Sequence, residues 1–378
     1  MDGRKKVLAT AWHPGSAQSI APVVKKLQEE DRVDVVVVLH EFARDVFSRA
    51  NISFKTIGDY GPNKVSLQTT KSILGAETPD LVLTGTSDSD EKNKVTIEQC
   101  FIAGTGFFTG MVSLAVMDWW SGFKRRFFSP DLGLCFLPKR VAVLDEIAQR
   151  NAVSSDIPSR AVVVTGNPYF DNLAQKTVKF SGKRGEEIRR TIGLNRRDLF
   201  FYAGNIFEEE ASRYGHDYWD LDIITLMVGA TEEVRREGRL GIVVKLHPRA
   251  PAGDKTKIKR ALSGEFGVRL VEGIETHDLV LASDCTFVVF STVAIEVVNL
   301  GRPCLSLQPG ASREEDVLIP SKEGIIPVGY SVEDCCSLVQ RAVESGYRQS
   351  LLEKASGFRT DGQATQRVVD NIYKMLDI

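Results

Sequence analysis

No C-x-x-C pair occurs among the six cysteines, Cys100, Cys135, Cys285, Cys304, Cys335 and Cys336, and most of them lie inside apolar runs. Neither a zinc site nor a disulfide framework is indicated, and a reducing cytoplasm is the expected compartment. Charge of one sign is lacking too. The 48 Lys and Arg against 50 Asp and Glu leave a net charge of −2, which gives no global attraction to nucleic acid or to anionic lipid. Nucleic acid is therefore not an expected partner, and any basic site must be local. Short-period repeats and low-complexity tracts are absent. The opening MDGRKKVLAT carries too short an apolar stretch after its lysines for a signal peptide, so secretion is not expected. Only one run, CFIAGTGFFTGMVSLAVMDWW at 100–120, has the length of a membrane span. Its glycines, with Thr105, Thr109 and Ser113, divide it instead into a helix end, a turn and a buried strand.

What is present is a soluble α/β pattern. The 378 residues are 43% hydrophobic and 26% charged, a length that suggests two domains. Strands are expected at Val7–Ala11, Val35–Leu39, Phe54–Thr56, Leu81–Thr84, Val112–Met117 and Val162–Thr165, with amphipathic helices between them. The near-continuous apolarity of VDVVVVL suits a strand covered on both faces, as in a parallel sheet. After the polar segment KTVKFSGKRGEEIRR the series restarts, at Leu199–Tyr202, Ile242–Lys245, Val268–Val271, Phe287–Phe290, Cys304–Leu307 and Ile326–Val328. The expected organisation is a first domain over 1–170, a linker with a helix over 171–195, a second domain over 196–362 and a terminal helix over 363–378. That helix could lie on either domain. Two doubly wound parallel sheets with an interdomain cleft are expected to bind ligand beyond the carboxyl ends of their strands.

In the second domain, Ser291 or Thr292 would cap a helix whose first N–H groups attract phosphate. Glu296, one turn on, could accept both hydroxyls of a ribose; equally it could be an ordinary first-turn acid. IVVKLHPRAPAG at 242–253 sends Lys245, His247 and Arg249 off a strand end, where they could hold the phosphates of the same nucleotide. Lys245 could also be a solvated edge residue, and His247 a histidine satisfied by its own turn. Asn205 follows the glycine turn after Leu199–Tyr202.

In the first domain, AWHPGSAQSIAPVV places His13 at a helix mouth, with Gly15 relaxing the turn and Ser16 capping the helix. Such a histidine suits deprotonation of an acceptor hydroxyl near neutral pH; held by its own turn, it would have no such role. In TGTSDSDEKNK, Asp88, Asp90 and Glu91 could be a base, metal ligands or a solvated turn. His40, His216 and His277 show no metal spacing with one another, and no metal is expected. MDWWSGFKRRFF, at 117–128, interleaves rings with cations that include Arg125. It suits either a membrane interface or cation–π packing within a loop.

Together these motifs resemble the B-type glycosyltransferases and the non-hydrolysing UDP-N-acetylglucosamine 2-epimerases, which have two Rossmann-like domains (the GT-B fold). VVVTGNPYFDNL resembles the segment by which the epimerases leave their first domain. KLHP with FST resembles motifs of bacterial sialyltransferases and of capsule and teichoic-acid polymer transferases. STVAIEVVNLGRPCLSL is similar to the donor-binding helix of lipid-intermediate N-acetylglucosaminyltransferases, in which the matching glutamate holds ribose. WHPGSAQSIAP loosely resembles their acceptor-side glycine loop. The chain departs from the epimerases' Gly-Thr-Arg-Pro-Glu at Ala11–Gly15 and from their Asp-Ser-Gly-Gly at Val289–Thr292. The sialyltransferase acidic-acidic-glycine motif is also missing. Position 288 is valine, where retaining transferases often carry a glutamate, so an inverting reaction is implied.

The resemblance implies an inverting sugar transferase without a cofactor, its substrate a nucleotide sugar whose base (UDP, CMP or another) stays open. Asn205, Lys245, His247, Arg249, Ser291, Thr292 and Glu296 would hold the nucleotide and its phosphates. His13 or Asp88 would be the base, with Gly15, Ser16 and Arg125 on the side of a glycan or lipid-linked acceptor. Peripheral contact with the inner face of the membrane and a homodimer stand as candidate associations. The alternatives are a sugar-nucleotide 2-epimerase or hydrolase, and a noncatalytic nucleotide sensor.

Overall fold

Successive residues of the first strand bury into different layers. Val7 and Ala9 join Ile20, Val23, Val24 and Leu27 of the following helix, whereas Leu8 joins Ile73, Leu74, Ile97 and Phe101 on the other side. This period-two alternation between two apolar layers makes a parallel sheet covered on both faces. The computed structural model describes residues 3–378 apart from 89–94, 130–133, 196, 215, 315 and 317.

The chain divides into two units, Met1–Asn172 with Thr360–Ile378, and Leu173–Arg359. The first contains β1 (Lys6–Thr10), β2 (Asp34–Leu39), β3 (Lys55–Thr56), β4 (Leu81–Thr84), β5 (Val112–Val116), a short antiparallel hairpin of β6 (Phe128–Ser129) and β7 (Leu134–Cys135), β8 (Arg140–Val143) and β9 (Val162–Val164). Its seven-stranded sheet runs β3-β2-β1-β4-β5-β8-β9, every pair parallel. The second contains β10 (Asp198–Ala203), β11 (Leu240–Lys245), β12 (Val268–Leu270), β13 (Cys285–Val288), β14 (Cys304–Leu307) and β15 (Val328–Gly329). They form a parallel six-stranded sheet in the order β12-β11-β10-β13-β14-β15. Each sheet reverses its strand order once, beside β1 in the first and beside β10 in the second. In such sheets the crevice at the reversal is where ligands bind.

Two sequence expectations change. The strand β8, with Val141, Ala142 and Val143 fully buried, is not signalled by RVAV, whose apolar run is only three residues long behind a charged Arg140. The ladder of β13 ends at Val288, so Val289 and Phe290 extend beyond it, the Val289 carbonyl accepting from the side chains of Ser306 and Gln308 instead of from a neighbouring strand. Within the expected linker and helix of 171–195 lie the end of one helix, Pro168–Lys179, and a second, Gly182–Thr191. The 100–120 run is the expected helix end, turn and strand, Ile97–Thr105 followed by β5. No helix among the described residues is long and apolar enough to cross a membrane.

The terminal helix, Ala364–Leu376, belongs to the first unit. Its Val368, Val369 and Ile372 are fully buried in the same layer as Ile20 and Val24. Its start is held by Asp171, whose Oδ2 accepts from Thr365 N at 2.7 Å and whose Oδ1 accepts from Thr360 Oγ1 at 3.0 Å and Ala364 N at 3.3 Å.

Candidate functional site

In the first unit the strand-order reversal is organised by a carboxylate that sequence reasoning passed over. Glu98, only 2% exposed, lies in the first turn of Ile97–Thr105. Its Oε1 accepts from Ser87 Oγ (2.6 Å), Trp12 N (3.0 Å), Ser16 Oγ (3.0 Å) and Ser87 N (3.3 Å). One oxygen thus ties the loops after β1 and β4 together. Its only sequence signal was an acid near a helix start, which TIEQC shares with many ordinary first turns. Ser16 is therefore not a cap: the helix Pro14–Glu30 begins two residues earlier, with His13 at the capping position and no side-chain cap bond. Gly15 does not relax a turn either. It is helical, and a Cβ there would meet Asp118 Oδ2 at 2.7 Å.

His13 is half-buried, and Ser87 Oγ accepts from its backbone N–H at 3.0 Å. The imidazole lies 5.3 Å from the Trp12 ring and 6.2 Å from that of Phe42, an exposed phenylalanine. Asp88 pairs with the exposed Arg125 at 2.9 Å. Asp90 and Glu91 lie outside the described residues. The cation built into this edge is Arg126 rather than Arg125. It pairs with Asp118 at 2.5 Å and donates to Thr86 Oγ1 at 3.0 Å and to the Thr86 carbonyl. The aromatic segment is largely interior: Trp120, Phe123 and Phe127 are at most 1% exposed, and Trp120 Nε1 donates to Asp145 at 2.7 Å. Its cations meet carboxylates, Lys124 pairing with Asp156 at 3.1 Å, Arg125 with Asp88 and Arg126 with Asp118.

In the second unit, β10 runs into Gly204 and Asn205. Asp220, 2% exposed, accepts through Oδ1 from Tyr202 OH (2.8 Å), Asn205 N (3.0 Å) and Ile206 N (3.0 Å). Burial pushes its carboxyl up to about 6 despite these bonds. Gly204 is required by the same carboxylate, since a Cβ there would stand 2.6 Å from Asp220 Oδ2. The side-chain Oδ1 of Asn205 is buried and accepts no hydrogen bond from a described residue.

Lys245 ends β11, an interior strand, so it is not an edge residue. Its Nζ donates to the Ile274 carbonyl at 2.6 Å and to Thr276 Oγ1 at 3.0 Å. His247 Nδ1 accepts from Arg249 N at 3.1 Å, which leaves the ring proton on Nε2. Lys245, His247, Pro248, Lys255 and Glu272 help line a hollow of about 290 Å³. The Arg249 side chain is exposed and does not line it; Lys255 is the second cation there and pairs with Glu272 at 3.4 Å.

Beyond β13, Thr292 occupies the capping position of Val293–Asn299 in a helical conformation without a side-chain cap bond. Ser291 Oγ instead accepts from Val293 N at 3.3 Å, so the expected cap is a tight local turn. Glu296 Oε2 lies 2.9 Å from His277 Nε2, and His277 Nδ1 lies 2.8 Å from Lys176 Nζ. The sequence offers His277 only as a metal-spacing candidate and gives no sign of Lys176, because the partners are separated widely along the chain. Ser291, Thr292, Glu296 and Asn205 do not line the hollow at Lys245. Among the described residues no group of three or more His, Cys, Asp or Glu could hold a metal ion.

No protein-family model matches the chain, and no curated protein matches it in sequence. Solved structures do. The UDP-GlcNAc 2-epimerase of Neisseria meningitidis, bound to UDP-GlcNAc, is 20% identical with a TM-score of 0.71, covering 98% of this chain and 100% of its own. That of Methanocaldococcus jannaschii is 14% identical with a TM-score of 0.67 over 98% of this chain and 99% of its own. A glycosyltransferase from Rickettsia africae is 9% identical with a TM-score of 0.62 over 99% of both. The strand orders and these full-length likenesses lead to one conclusion: the chain has the GT-B fold of two Rossmann-like domains that UDP-GlcNAc 2-epimerases and glycosyltransferases share.

Proposed function

We propose that the chain transfers a sugar, with inversion, from a nucleoside diphosphate donor to an acceptor hydroxyl. The observation that carries this reading is the hollow at the carboxyl end of β11, where Lys245, Lys255 and His247 converge. An ammonium has three donors, and Lys245 spends two on Ile274 and Thr276, leaving a third for a phosphate oxygen. His247 lines the same hollow, its ring oriented by the Arg249 N–H on Nδ1. Asn205, Ser291, Thr292 and Glu296 lie outside that hollow and are assigned to the rest of the nucleotide, with the ribose on Glu296. The solved relatives carry UDP-GlcNAc in their names, which makes UDP the nucleotide of choice.

His13 is assigned as the base. Its imidazole makes no hydrogen bond to a described residue, whereas the carboxylates near it are engaged: Glu98 by four donors, Asp118 by Arg126 and Asp88 by Arg125. It takes the acceptor proton as the acceptor oxygen bonds to the anomeric carbon. The bond to the departing phosphate breaks, its electron pair goes to the phosphate oxygen, and the cations at β11 stabilise that charge. Position 288, from which a retaining partner would come, is a fully buried valine.

The likeness to epimerases favours a second reading, inversion at C2 of the sugar of UDP-GlcNAc, for which no acceptor is needed. Incubation with UDP-GlcNAc alone, followed by proton NMR, separates the two. Transfer predicts an intact donor until a hydroxyl acceptor is added. Appearance of the C2 epimer without acceptor overturns transfer and establishes epimerisation.

A further inference from the structure

Lys176, His277 and Glu296 lie in line across three helices, Pro168–Lys179, Thr276–Ala282 and Val293–Asn299. Lys176 Nζ is 2.8 Å from His277 Nδ1, and His277 Nε2 is 2.9 Å from Glu296 Oε2. An ammonium can only donate, so Nδ1 accepts, and the ring proton sits on Nε2 and is given to the carboxylate. The direction of both bonds is thus fixed by Lys176. The contact is largely withdrawn from water, with 16% of the His277 side chain and 20% of the Glu296 side chain exposed. The preceding residue, Thr276, is held by Lys245 Nζ, which also binds the Ile274 carbonyl. The turn that presents His277 is therefore anchored to the strand end that forms the phosphate hollow, and two adjacent residues, Thr276 and His277, join Lys245 to Glu296.

We propose that His277 is a positioning residue that sets the ribose selectivity of the nucleotide site. It holds the Glu296 carboxylate in one orientation, so that a ribose diol meets a fixed pair of acceptor oxygens. A carboxylate has about four acceptor positions, so accepting from His277 is compatible with accepting from a ribose. A rotating carboxylate would gain less from each hydroxyl, because the cost of ordering it would fall on the binding step. The inference rests on the reading of Glu296 as the ribose acceptor.

The test is calorimetric titration with UDP and 2′-deoxy-UDP. The wild-type protein should prefer UDP by about tenfold or more, the size of one well-placed hydrogen bond. His277→Phe, which keeps a ring and loses the donor, should bring the two affinities to within about threefold by weakening UDP alone. His277→Gln, which restores an N–H donor, should recover part of the preference. No UDP binding, or no preference in the wild-type protein, overturns the nucleotide-site reading itself. A preference lost in Glu296→Gln but intact in His277→Phe overturns the role of His277 and leaves that reading standing. Equal weakening of both nucleotides by His277→Phe also overturns it, since that marks a structural role only. Nitrogen-15 NMR of the wild-type protein gives a second check that needs no variant: the Nε2–H tautomer of His277 is expected, and the Nδ1–H tautomer overturns the proposal.

Discussion

Removing the Glu98 carboxylate would strand the backbone N–H groups of Trp12 and Ser87 and two serine hydroxyls in a buried crevice. Glu98→Ala should therefore cost about 3 kcal/mol, because buried donors lose their acceptor without regaining water. Glu98→Gln keeps an acceptor oxygen and should cost less. Urea midpoints measure both, and a Glu98→Ala protein within about 0.5 kcal/mol of wild type would contradict this account. Asp220 makes a pH prediction. Its folded value of about 6 against 3.8 means that the folded protein keeps a proton which the unfolded chain has released. That proton favours the folded state in acid, and the advantage is lost as pH rises from about 4 to about 6, a change of about 3 kcal/mol. Asp220→Asn should remove this slope, so the stability difference between variant and wild type should vary with pH in denaturant titrations. A difference constant from pH 4 to pH 7 would refute the assignment. Neither residue was legible in the sequence, since nothing local marks an acid as buried.

At the scale of elements, patterns of apolar residues located what they physically encode. Leu81–Thr84 and Cys304–Leu307 have the bounds their apolar runs suggest, because burial on both faces requires an uninterrupted run. The run Phe287–Phe290 overshot its ladder, since side-chain apolarity marks burial and not backbone pairing. Caps were read less well. Ser16, expected as a cap, lies inside its helix, and Thr292 stands at a helix start without a capping bond, while the terminal helix is capped by Asp171 from a distant part of the chain. Asp171→Ala should destabilise the first unit by about 2 kcal/mol, as it removes three hydrogen bonds, two of which cap the helix. Loss of amide exchange protection should concentrate in Ala364–Leu376 and in the helix it covers, Pro14–Glu30. Protection unchanged there would show that apolar packing alone holds the terminal helix.

For the whole molecule, two α/β series separated by a polar stretch announce two doubly wound units. The return of residues 360–378 to the first of them is not announced. Its apolar stripe states only that the helix must be covered, and a matching surface exists wherever a sheet layer is open. The same limit applies to the candidate sites. Lys245 and His247 stood out because cations and imidazoles at a buried strand's end are chemically costly in sequence terms. Lys176 and His277 did not, because their significance lies in a line of contacts spanning 120 positions, from 176 to 296.

By itself the sequence determined the layered parallel architecture, because strand and helix periodicities are local consequences of which side chains avoid water. Only the tertiary structure decided which polar groups meet. Hydrogen-bond partners such as Glu98 with Trp12, or His277 with Glu296, are chosen by where the sheets bring their strand ends, and that is set by long-range pairing rather than by neighbours in the chain.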